Sequence, residues 1–149
     1  MEISAKNATT ITILLVEDSP GDVRLTREAF NDAKVHVNLH VASDGAEAMV
    51  FLRQEGAHAH SPRPDLILLD LNLPKKDGRE VLEEIKESAS LKTIPVVILT
   101  TSISGVDIMQ SYLRHANSYI AKPVDLEGFL KVVRSIDNFW LSVVKLPRE

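Results

Sequence analysis

The sequence predicts an α/β fold: a doubly wound, five-stranded parallel sheet with helices on both faces. Two observations lead there. Short apolar runs, ITILLV at 11–16, LILL at 66–69 and IPVVILT at 94–100, have the pattern of strands buried on both sides. Amphipathic stretches long enough for crossover helices separate them, and right-handed crossovers then close a sandwich.

The elements follow in order. Ile11–Val16 is the first strand. Ser19, Pro20 and Asp22 start a helix: Ser19 is an N-cap, Pro20 suits the first helical position, and an acid stands three residues after the cap. VHVNLHVA (Val35–Ala42) alternates as a half-buried edge strand does, and Ala46 to Gln54 is helical. EGAHAHSPRP is a loop, because Pro62 and Pro64 hold Ser61 and Arg63 away from helix. Leu66–Leu69 is the third strand and Gly78 to Glu87 the third helix. Ile94–Thr100 is the fourth strand, and Ser104 to His115 the fourth helix. Ser118–Ala121 is a short fifth strand, followed by a long helix from Leu126 towards Val144. Residues 1–10 read as a disordered extension and 11–149 as a single domain, with no internal repeat or linker.

Composition narrows the function. The 149 residues are 44% hydrophobic and 26% charged, enough for one real core. With no cysteine, disulfides and thiolate metal sites are excluded. No apolar run approaches the roughly 20 residues of a membrane span, and MEISAKNATT has no signal-peptide core. A cytoplasmic protein away from membranes is expected. A net charge of −4 argues against nucleic-acid binding.

In open α/β sheets, ligands sit at the carboxyl ends of the strands. Glu17 and Asp18 end the first strand, Asp70 the third, Thr100 and Thr101 the fourth, and Lys122-Pro123 follows the fifth. Asp70 comes straight after LILL, and a carboxylate there must be paired or metal-bound, since unpaired burial costs several kcal/mol or more. Clustered carboxylates resist joint ionisation, and a hard cation such as Mg²⁺ relieves them. Taken singly, Thr100 is an ordinary strand residue and Lys122 a surface lysine. Their joint occurrence at separate strand ends is what such readings explain poorly.

VEDS (Val16–Ser19), LLDLNLPKKDG (Leu68–Gly78), PVVILTT (Pro95–Thr101) and YIAKP (Tyr119–Pro123) occur in the order and spacing of a known family. With them the sequence resembles the receiver domains of two-component response regulators over nearly its whole length. DLNLPKKDGREVLEEIK, the SY ending at Tyr112, and FWL at Phe139 to Leu141 followed by LP resemble cyanobacterial phytochrome response regulators in particular. The resemblance implies a flavodoxin-like strand order of 2-1-3-4-5. It implies Asp70 as phosphoacceptor, with Glu17, Asp18 and Asp70 holding Mg²⁺ and Asn72 adding its backbone carbonyl. Thr100 would hydrogen-bond the phosphoryl group, Lys122 would pair with it, and Tyr119 would be the switch coupled to Thr100. Many receivers carry aspartate where Glu17 stands, and the longer glutamate can reach a metal through water. The partner implied is a histidine kinase, possibly phytochrome-type. The protein would then be no enzyme beyond its own phosphorylation and dephosphorylation.

The fourth helix, fifth strand and fifth helix form the expected output face. Leu126, Phe129, Leu130, Val133, Ile136 and Trp140 recur at helical spacing, as a core stripe does. Phe139, Leu141, Val143, Val144 and Leu146 exceed what one helix face buries. A homodimer or partner surface is therefore expected, with Met109, Tyr112, Tyr119, Phe129, Phe139 and Trp140 on it. His58 and His60 have metal-like spacing, but their loop has no further ligand, and His36 and His40 are expected to be exposed. A haloacid-dehalogenase-like phosphohydrolase would need an aspartate where Asn72 stands, and a cap domain. A non-phosphorylated pseudo-receiver is opposed by the set Asp18, Asp70, Thr100 and Lys122. Direct DNA contact is not expected, because the sequence reaches Glu149 without a helix-turn-helix, and no glycine-rich nucleotide loop follows any strand.

Overall fold

The computed structural model describes residues 10–101 and 104–141. The expected disordered extension, residue 10 apart, and the far end of the expected long helix, Val143 to Leu146 included, lie outside the described residues.

Ten main elements alternate along the chain: β1 (Ile11–Val16), α1 (Pro20–Asp32), β2 (Val37–Ala42), α2 (Gly45–Arg53), β3 (Leu66–Leu69), α3 (Gly78–Glu87), β4 (Val96–Thr100), α4 (Gly105–Leu113), β5 (Ser118–Ala121) and α5 (Leu126–Ile136). The strands are all parallel, in the order β2-β1-β3-β4-β5. The register sets Leu15 opposite Leu68, Leu68 opposite Val97, and Thr100 opposite Ala121.

The apolar runs have no polar alternation because both sheet faces are covered. Leu14, Val16, Ile67, Leu69, Val96 and Ile98 pack in one core with Met49, Val81, Leu82 and Ile85 from α2 and α3. The intervening Ile13, Leu15, Leu66, Leu68, Val97 and Leu99 pack in a second core with Phe30, Phe129, Val133 and Ile136 from α1 and α5. Strand side chains alternate faces, so consecutive leucines of β3 enter different cores. Helix α4 is the exception: among its described residues only Ser111 is buried, and Val106, Met109, Tyr112 and Leu113 are exposed.

Each helix starts on a side-chain cap. The Ser19 Oγ accepts from the Asp22 N–H at 3.3 Å, and Asp77 forms a reciprocal capping box with Glu80. Asp44, Ser104 and Asp125 cap α2, α4 and α5. Since every crossover returns the chain the same way, these starts gather at the carboxyl edge of the sheet.

Boundaries differ from expectation for local reasons. β2 begins at Val37, because Lys34 is left-handed (φ 59°) and the Val35 N–H turns back to the Phe30 carbonyl. β4 begins at Val96: the Ile94 N–H closes a turn onto Leu91, and Pro95 has no N–H. α4 stops at Leu113, with His115 left-handed (φ 69°) just beyond. The regular part of α5 ends at Ile136 and passes into one wider π turn, Asp137–Leu141.

Candidate functional site

The strand order brings the ends of β1, β3, β4 and β5 together. The Asp70 N–H donates to the Val16 carbonyl at 3.1 Å, and the Lys122 N–H to the Thr100 carbonyl at 2.7 Å. Backbone pairing thus fixes the roots of all the candidate side chains.

Asp70 is 5% exposed, and both its oxygens are occupied. The Thr100 hydroxyl donates to Oδ1 at 2.7 Å and the Asn72 N–H donates to the same oxygen at 3.2 Å. The Lys122 ammonium donates to Oδ2 at 2.9 Å. The Lys122 side chain, 5% exposed, also reaches Glu17 Oε1 at 2.7 Å and Asp22 Oδ2 at 3.0 Å. Glu17 is buried, and its Oε2 accepts the Ser19 N–H at 3.0 Å; Asp18 is exposed. Thr100 is buried and Thr101 exposed. A carboxylate at the lip of a buried strand is therefore explained by an ammonium, a hydroxyl and a backbone amide.

Three carboxylates, Glu17, Asp22 and Asp70, share one ammonium here, and Glu17 is the one whose carboxyl is displaced upward. Burial pushes its carboxyl above the ordinary range, the Lys122 and Ser19 hydrogen bonds oppose that, and Asp70 adds repulsion. Burial alone would lower the Lys122 value, but its hydrogen bonds to Glu17 and Asp70 carry it above the usual lysine range. The ammonium therefore stays charged at any physiological pH.

Oxygen atoms of Glu17, Asp18 and Asp70 lie within 4.8 Å of one another, the one such ligand trio among the described residues. The donors are all hard carboxylate oxygens carrying surplus charge, which fits a cation of the Mg²⁺ or Mn²⁺ class.

Asp22 and Arg79 were not singled out from the sequence as site residues. Asp22 reads there as a helix-start acid, but its helix begins beside the end of β1, which puts its carboxylate on Lys122. Arg79 grips Asp107 of α4 with two hydrogen bonds, at 3.0 and 2.8 Å, and also reaches Asp77 at 3.0 Å and the Leu71 carbonyl at 3.4 Å. The Asp107 hydrogen bonds, with Asp77 adding to them, hold the guanidinium pKa above its already high usual value. Gly78 has a steric signal: a Cβ there would lie 2.1 Å from the Asp70 carbonyl oxygen.

Tyr119 is half-buried on β5, beside Ile98 of β4 and against the α2–α3 core. On the expected surface, Met109 is 61% exposed, and Tyr112 and Phe139 are exposed too. Trp140 is partly covered and meets Phe139 edge-on. Phe129 is a correction: at 1% exposure it belongs to the core, because its turn of α5 faces the sheet. His36 is exposed as expected, but His40 is half-buried against Phe51. His40, His58 and His60 line one cavity of about 300 Å³, with His58 Nε2 3.4 Å from Glu47. As placed, no trio of ligands converges there among the described residues.

Fold and site together define a class: the chain belongs to the response regulator receiver domain family, which it matches over residues 13–134. Within that family it is similar to the response regulator Rcp1 of Synechocystis sp., at 53% identity over 135 residues, 91% of this chain and 92% of Rcp1. The crystal structure of Mn²⁺-bound Rcp1 superposes with a TM-score of 0.86 at 51% identity. The phosphorylated cyanobacterial phytochrome response regulator RcpA does so with 0.88 at 52%. Each structural alignment covers 93% of this chain and 99% of the other. Among the described residues, no helix is long and apolar enough to cross a membrane.

Proposed function

We propose that this chain is a stand-alone phosphorylatable switch of a two-component relay, with Asp70 as acceptor of a phosphoryl group from a histidine kinase. The observation that carries the reading is the Asp70 carboxylate, buried at a strand end between the Lys122 ammonium at 2.9 Å and the Thr100 hydroxyl at 2.7 Å. An Asp70 oxygen attacks phosphorus in line, the P–N bond to the donor imidazole breaks, and the electron pair leaves on nitrogen, giving an acyl phosphate. Such transfer needs alignment and charge neutralisation more than covalent help. Lys122 supplies part of that charge. Glu17, Asp18 and Asp70 would hold Mg²⁺, with a backbone oxygen from Asn72, and the ion would supply the rest.

The acyl phosphate adds about −1.5 to −2 charges and three acceptor oxygens. Thr100 turns its hydroxyl from Asp70 Oδ1 to one of them, and Tyr119 rotates towards the space released beside β5. The output face is α4, β5 and α5, where exposed Met109, Tyr112 and Phe139 beside Trp140 support a homodimer. Likeness to RcpA supports a phytochrome-type kinase as donor. The net charge of −4 supports a protein that does not bind nucleic acid directly.

Intact-mass spectrometry after incubation with acetyl phosphate tests the reading. One Mg²⁺-dependent, alkali-labile phosphoryl adduct is expected, and none on Asp70→Asn. Normal labelling of that variant would remove Asp70 from the role.

A further inference from the structure

We infer that Asp22 is a positioning residue for Lys122, the carboxylate that keeps the ammonium beside Asp70 when Glu17 and Asp70 turn to a cation. The inference rests on the phosphoacceptor reading above. The three protons of the ammonium meet three carboxylates, Glu17 at 2.7 Å, Asp70 at 2.9 Å and Asp22 at 3.0 Å. Two of these also belong to the convergent trio of Glu17, Asp18 and Asp70; Asp22 does not. A cation and Lys122 therefore compete for Glu17 and Asp70 but not for Asp22.

Asp22 is built as a fixed post. Its N–H is held by Ser19 Oγ at 3.3 Å, and its carbonyl accepts the hydroxyl of buried Thr26 at 2.7 Å. With 27% of its side chain exposed, it stays solvated as the buried Glu17 and Asp70 do not. Lysine has a flexible four-carbon stem and considerable rotamer freedom, so an ammonium that loses two of three partners needs the third to stay placed. The contact runs from the end of β5 to the first turn of α1, across 100 residues of sequence.

The test is a double-mutant cycle with acetyl phosphate at saturating Mg²⁺, joined to ¹⁵N NMR of lysine ammonium groups with Mg²⁺ alone. Asp22→Asn keeps the backbone cap and the side-chain shape. It is expected to slow labelling of Asp70 by about tenfold, the order expected for one lost charge-assisted hydrogen bond. Asp22→Glu should recover most of the rate. In a Lys122→Ala background, Asp22→Asn should change the rate less than twofold, since the residue acts through the lysine. With Mg²⁺ and no phosphodonor, the Lys122 ammonium signal should persist in the parent chain and vanish in Asp22→Asn. Labelling of Asp22→Asn within twofold of the parent, or an equal loss with and without Lys122, would overturn the inference. Failure of the parent chain to be labelled at Asp70 would instead sink the phosphoacceptor reading.

Discussion

Lys122 joins three carboxylates that would otherwise repel one another, and its removal separates two effects. Lys122→Ala leaves Glu17 and Asp70 buried without a counter-charge, a loss of about 3–5 kcal/mol for a broken buried pair. The same change removes the competitor for a cation. Thermal unfolding of the variant should give a lower Tm than the parent without Mg²⁺, and a larger rise when Mg²⁺ is added. An equal rise in both proteins would show that Lys122 and the cation do not contend. Much of this residue scale is legible in the sequence: Glu17, Asp18, Asp70, Thr100 and Lys122 each end or follow an apolar run. Asp22 is not, because its partner lies 100 positions away and only the folded crossover brings them together. Phe129 shows the opposite failure. Helical spacing sets it on the α5 core stripe, where it lies, and its place on the expected partner surface runs against that spacing.

Helix starts carry the site at the next scale. Gly78 brings α3 so close to β3 that a Cβ would lie 2.1 Å from the Asp70 carbonyl oxygen and 2.6 Å from the Leu71 Cα, both rigid backbone. Gly78→Ala is expected to cost about 1–3 kcal/mol, as overpacking does, and to slow labelling of Asp70 by shifting its loop. Urea denaturation and the labelling rate read the two effects. Glu84 on the same helix meets Arg53 of α2 at 3.0 Å and also pairs with Lys76 of the β3–α3 loop. The Lys76 hydrogen bond is the largest reason its carboxyl sits below the ordinary range. A carboxyl lowered on folding stabilises the native state above its unfolded pKa and loses that effect as pH falls through the folded one. Glu84→Gln should therefore cost up to about 1 kcal/mol at pH 7, discounted for exposure, and less at a pH below the ordinary glutamate range. Denaturant midpoints at the two pH values check it. Element existence and order are legible from apolar runs and caps; the exact starts of β2 and β4 depend on turns closed by backbone hydrogen bonds that periodicity does not register.

Across the whole molecule, two cores flank one thin sheet, and α4 stands outside both. Its exposed Met109 and Tyr112 belong to the surface proposed for self-association, and exposed Val106 and Leu113 lie on the same helix. Tyr112→Asp should leave the fold intact and shift the mass in light scattering to that of a monomer under conditions where the parent is a dimer. A parent monomeric with and without acetyl phosphate would rule out this surface as a homodimer contact.

What holds α4 differs in kind from what holds its neighbours. Burial fastens the other helices, while α4 is moored through its first turn by the Arg79–Asp107 pair, with 32% and 20% of the side chains exposed. Dissolved ions weaken partly exposed charge pairs and leave, or strengthen, apolar contacts. The Arg79–Asp107 mooring of α4 is therefore graded by ionic strength, while the apolar contacts that fasten the sheet to its covering helices are not weakened by it. In molar salt, α4 amides should exchange with deuterium faster while those of β1 and β3 keep their protection. The surface proposed for output, mounted this way, would feel the saltiness of its surroundings along with the state proposed for Asp70.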